Sequence, residues 1–136
     1  MGRYYMKQIT REWFKAAYDD ILIIEEIIDK EHLSHLVAFH AQQAIEKSFK
    51  AVLEESTDYV PKVHQLERLS GLVGSCLELQ FDEENDFFEE LDKLYIDARY
   101  PGDFGLLPQG KPSVEEAKKF YELAQSLYQF LQSRLS

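Results

Sequence analysis

Three short stretches of this chain place Lys, His or Arg beside apolar residues that belong inside a fold: Phe39-His-Ala-Gln-Gln-Ala-Ile-Glu-Lys-Ser-Phe-Lys50, Pro61-Lys-Val-His-Gln-Leu66 and Ala98-Arg-Tyr-Pro101. On a helix turning 100° per residue, Gln43, Lys47 and Lys50 fall within about 60° of one another. Two ammonium groups about a turn apart can hold a phosphate or a carboxylate. The competing structural role is a solvated lysine line whose stems cover their neighbours. His40 could join this line, although a lone helical histidine commonly serves as a cap or a core residue. His64, just after Pro61, could contact an anion or act as a general base; its local alternative is to bond a freed backbone group of the turn. Arg99 ends a helix, where its charge suits the negative dipole end, and with Tyr100 and Pro101 it makes a defined corner. The expectation is a cationic hollow lined by Gln43, Lys47, Lys50, His64, Arg99 and Tyr100.

That hollow would sit on an acidic protein. Formal net charge is −10, and between Asp82 and Asp97 eight acids face a single base, Lys93. A generic duplex-binding surface needs the opposite sign, because Lys and Arg must neutralise phosphates. The acidic stretch reads as a solvated helix face rather than a docking strip. The sequence offers no glycine-rich phosphate loop, no metal-ligand cluster and no Ser-His-Asp arrangement, so no metal and no catalytic residue is assigned. The single cysteine, Cys76, excludes an internal disulfide and suits a reducing compartment. The first residues lack the apolar stretch of a secretory signal, and no apolar run approaches a membrane span. The expectation is a cytoplasmic protein without membrane attachment.

The elements that must position these residues are helical. With 45% hydrophobic and 29% charged residues, the 136-residue chain is apolar enough to fold as one domain, residues 1–136. Phe14, Ala17, Ile21, Ile24 and Ile28 mark a first helix over about 11–30, with Thr10 as its N-cap. A second follows Ser34 to about Glu55, with Ala38, Ala41, Ile45, Ser48, Phe49 and Val52 inward and the Gln43, Lys47, Lys50 line outward. Leu36 and Phe39 lie near that line and suggest a second contact surface. A shorter helix covers about 63–79, weakened by Gly71 and Gly74. Asp82 caps a fourth, with Phe87, Phe88, Leu91, Leu94, Tyr95 and Ala98 inward, which stops near Arg99 because Tyr100 precedes proline. Ser113 and Glu116 form a capping box that opens the last helix. No segment alternates like a strand. The spacing predicts an all-α, five-helix, mostly up-and-down antiparallel bundle.

In this order the segments resemble the HEPN family (higher eukaryotes and prokaryotes nucleotide-binding) of five-helix bundles. The residues that carry the resemblance are Trp13, Ala17 and Asp20, Gln43-Ala-Ile-Glu-Lys47 with Lys50, Lys62-Val-His-Gln-Leu66, and Ala98-Arg-Tyr-Pro101. The fold is similar to the helical domain of kanamycin nucleotidyltransferase. The resemblance implies a homodimer and a partner nucleotidyltransferase encoded nearby, in some cases as a toxin-antitoxin pair, with a nucleotide as the ligand and no other cofactor. The ribonuclease branch carries an Arg followed four to six residues later by a His; no arginine here has a histidine at that spacing, and Arg99 is followed by Tyr100 and Pro101. The expected function is therefore a non-catalytic nucleotide- or partner-binding module. The alternatives are a metal-independent ribonuclease toxin using His64 and Arg99, with RNA as a less favoured partner, and a purely structural helical dimerisation unit.

Overall fold

The computed structural model describes residues 5–99 and 111–135, with the side chains of residues 96–99 left aside. Five α-helices follow one another: α1 (Gln8–Ile27), α2 (Ser34–Ser56), α3 (Leu66–Leu77), α4 (Asn85–Arg99) and α5 (Val114–Leu135). Short 3-10 turns, Glu31–Leu33 and Asp82–Glu84, lead into α2 and α4. No strand occurs among the described residues. The protein is an all-α bundle.

Side-chain pairs give the sense of each helix. Trp13 meets Glu54 and Asp20 meets His40, so α1 and α2 are antiparallel. Phe49 packs on Phe88 while Phe39 packs on Tyr95, so α4 opposes α2. Phe14 meets Tyr128 and Glu25 meets Tyr121, so α5 opposes α1. Helix α2 touches each of the other four and is the bundle's axis. Its alanines 38, 41, 44 and 51 are all buried, and their small side chains let the neighbours approach closely.

Helix α3 is the exception to strict alternation. The His64 carbonyl accepts a bond from Gln42 Nε2 at 3.0 Å, so residues 57–65 run back along α2 before α3 descends in the same sense as α2. Nine extended residues reach about 30 Å, and the fourteen helical residues from Ser56 back to Gln42 span only about 21 Å. The return segment is thus long enough, and it delivers His64 to the middle of α2.

Two helix starts are capped from across the bundle. Thr10, expected to cap α1, lies inside that helix and is buried; its hydroxyl donates to Glu55 Oε1 at 2.8 Å. The same oxygen accepts from the Lys7 backbone N–H at 2.9 Å, so a carboxylate from the last turn of α2 meets the positive end of α1. Asp92 of α4 does the same for α3, accepting the N–H groups of Leu66 at 2.9 Å and Glu67 at 3.4 Å. Burial pushes the Asp92 carboxyl upward, against the pull of those amides. Asp92→Ala removes the cap and should cost about 1–2 kcal/mol. Asp92→Asn keeps an acceptor for Leu66 without burying a charge and should stay within about 0.5 kcal/mol of the parent in urea unfolding.

The remaining acids of this stretch behave as expected for a solvated face: Asp82, Glu83, Asp86, Glu89 and Glu90 are exposed. Asp82 opens a 3-10 turn rather than capping the α-helix, which begins three residues later. The box at Ser113 and Glu116 forms in both directions, each bond 3.0 Å.

Gly74 holds α3's end rather than weakening it. Leu79 N–H reaches back to the Gly74 carbonyl at 3.0 Å, and a Cβ on Gly74 would lie 2.5 Å from the Leu79 oxygen. The turn requires a left-handed residue, and Glu78 fills that position at φ 56°. A non-glycine residue there is strained, so Glu78→Gly should raise stability by about 0.5–1 kcal/mol, read as a higher urea midpoint with unchanged slope.

Candidate functional site

The face of α2 that carries Gln43, Lys47 and Lys50 is not open to water. Because α2 is the central helix, α1 and the return segment cover this side as the apolar core covers the other. Lys50, expected on the outer line, is 6% exposed. Its ammonium lies 3.0 Å from Glu46 Oε2 and 5.7 Å from the centre of the Trp13 ring. Trp13 in turn donates its indole N–H to Glu54 Oε2 at 3.2 Å.

Two buried carboxylates organise the region. Asp20, reaching across from α1, accepts from Lys47 Nζ at 2.6 Å on one oxygen and faces His40 Nδ1 at 2.8 Å with the other. Glu46 takes Lys50 Nζ and His64 Nδ1, each at 3.0 Å, on Oε2, and the Gln42 amide at 3.2 Å on Oε1. Gln42 is fully buried and satisfied: one donor group serves both Glu46 and the His64 carbonyl, and its oxygen accepts from Gln43 Nε2 at 2.8 Å. It is the stitch that holds the return segment on α2.

The arrangement corrects the cationic hollow read from the sequence. Lys47 and Lys50 are matched one for one by Asp20 and Glu46, so neither ammonium is free to take an anion without displacing a carboxylate. What faces outward are imidazoles and aromatic rings. A carboxylate bonded at Nδ1 fixes that nitrogen as the proton carrier and leaves Nε2 as the second functional atom. The His64 side chain is 54% exposed and that of His40 22%. His64 therefore bonds Glu46 through its ring and Gln42 through its backbone, rather than closing its own turn. Beside it, Tyr95 stacks on His64 with centroids 6.3 Å apart and planes at 28°, and on Phe39 at 5.7 Å and 9°. Phe39 meets His40 edge-on at 5.2 Å. The half-buried Phe39, expected as part of a second contact surface, is thus one tile of an aromatic shelf.

Gln43, Lys47, Lys50 and His64 come together in one region. Arg99 is the last residue of α4, one turn beyond Tyr95; its side chain, together with Tyr100 and Pro101, lies outside the described residues. Sequence reasoning assigned none of Glu46, Gln42 and Tyr95 to the site. Glu46 had a local signal, its position four residues before Lys50, whereas Asp20 entered through the family resemblance alone. Among the described residues no group of three or more metal-ligating side chains forms, and no helix is long and apolar enough to cross a membrane.

The chain is thus a mostly antiparallel five-helix bundle that carries an aromatic shelf beside two carboxylate-clamped imidazoles. A match to the HEPN domain covers residues 10–134, nearly the whole chain. The protein belongs to the HEPN family, which places it among nucleotide- and RNA-related modules. No curated protein and no solved structure shows a significant match to the chain.

Proposed function

We propose that this protein is a non-catalytic nucleotide- or partner-binding module that works as a homodimer in complex with a minimal nucleotidyltransferase, as one half of a toxin-antitoxin pair. The observation that supports ligand binding is the Phe39, Tyr95, His64 stack. Flat aromatic and imidazole faces at a polar edge are suited to a nucleobase, since stacking contributes about 1–3 kcal/mol per base. Lys47 and Gln43 line the same edge with donors. Glu46 holds the His64 ring of the shelf through Nδ1, which lowers the cost of ordering that ring when a ligand binds.

The reading is tested by calorimetry with ATP and GTP plus magnesium, and by co-expression with candidate nucleotidyltransferases followed by size exclusion. Tyr95→Ala should weaken nucleotide binding about tenfold or more while leaving the helical content unchanged. A chain that gives no heat with either nucleotide and elutes alone would end the idea.

A second reading rests on one observation: Glu46 holds the half-exposed His64 ring through Nδ1, which leaves Nε2 as the atom a general base would use. A ribonuclease toxin using His64 and Arg99 predicts growth arrest on expression and cleaved RNA, both abolished by His64→Ala. Intact RNA and normal growth refute it.

A further inference from the structure

The shelf lacks an obvious seat for phosphate, because Lys47 and Lys50 are already neutralised by buried carboxylates. The start of α2 is different. Ser34, its first residue, is 2% exposed, and its hydroxyl has no hydrogen-bond partner. The adjacent His35 Nδ1 is also buried and unpartnered. Buried polar atoms are nearly always paired, so two neighbouring orphans at one helix start require an explanation. Around them the charge is positive: Lys111 donates to the His32 carbonyl at 2.8 Å, which brings its ammonium against the turn that enters α2. Burial, then Lys111, then His32 push the His35 imidazole downward. The 23-residue α2 adds the positive end of its dipole. Of the acids near this corner, Asp29 is engaged by Lys118 at 3.8 Å, and Glu31 lies on the exposed turn.

We infer that the N-terminus of α2, with Ser34, His35, His32 and Lys111, is a phosphate subsite. A helix start with a hydroxyl and a lysine beside it is a kind of site that binds phosphate in other folds. The inference rests on the nucleotide reading above and extends it. His35 and Phe39 lie one turn apart on nearly the same face of α2, within about 40°, so a nucleotide whose base lies on the shelf can direct its phosphates to this corner. Lys111 is exposed and held by one hydrogen bond, so it can leave the His32 carbonyl to admit the anion and then pair with it.

The test uses the whole isotope-labelled chain with inorganic phosphate and, separately, ATP. Phosphate should shift the backbone amides of residues 34–37 and the His35 ring saturably. Lys111→Gln should weaken that response about fivefold, as should Ser34→Ala, whereas Lys15→Gln, a charge-matched change on the far side of α1, should not. Phosphate that moves none of these signals, or moves them equally in Lys111→Gln, overturns the subsite. ATP that perturbs Tyr95 but not residues 34–37 also sinks it and leaves the shelf reading standing. Phosphate bound at residues 34–37 with ATP no tighter supports the subsite and removes the nucleotide reading.

Discussion

Glu46→Ala is expected to destabilise the chain by about 3–5 kcal/mol, because it strands a buried ammonium. Lys50 is 6% exposed and its carboxylate partner 5%, so neither can recover full hydration when the other is lost. The Gln42 amide would lose one of its two acceptors, and the exposed His64 ring would turn to water. The measurement is guanidinium unfolding, and the accompanying fall in melting temperature should be about 10–17 °C. The double variant Glu46→Leu with Lys50→Met supplies the control. Replacing both charges with apolar groups of similar volume should recover most of the loss, since a buried pair contributes little net stability. A single variant that costs less than about 1 kcal/mol would mean that Lys50 reaches solvent in solution.

The second large effect belongs to the core. Phe49 is fully buried between Phe81 and Phe88, with both centroid distances 5.6 Å, and Phe88 meets it edge-on. Phe81 and Phe88 also touch at 6.1 Å, so three rings close on one another where α2 meets α4. Phe49→Ala removes the shared member and should cost about 3–5 kcal/mol, from lost burial and from the cavity left behind. Phe49→Leu keeps most of the volume and should cost no more than about 1.5 kcal/mol. Equal losses for the two variants would show that the ring contacts, rather than volume, hold α4 to α2.

Helix extents were legible because they depend on local periodicity. Ala38 through Val52 mark the inner arc of α2 correctly, and the pair Ser113 and Glu116 marks the start of α5. Misreadings arose wherever a residue answers to a partner distant in sequence. Thr10 has the right chemistry for a cap, but Glu55 lies within its reach only after α1 and α2 pair. Asp92 looks like one more solvated acid until α3 is placed beside α4. Lys50 seems to face water because a helical projection assumes one inner side, and a central helix has several. The same limit governs the site: the lysine line is visible in sequence, whereas the carboxylate Asp20 that neutralises part of it comes from another helix.

The exposed acids of α4 carry a consequence for ionic strength. Glu89 makes a long contact, 3.8 Å, with Lys93, and the Glu90 carboxyl pKa is pushed upward by burial and by the nearby Glu116. This surface repels itself, and added salt shortens the reach of that repulsion from about 30 Å at 0.01 M to about 8 Å at 0.15 M. The Asp20 and Glu46 pairs lie inside, where mobile ions screen poorly. Sodium chloride should therefore make this protein harder to unfold, even though two ion pairs lie beneath its surface.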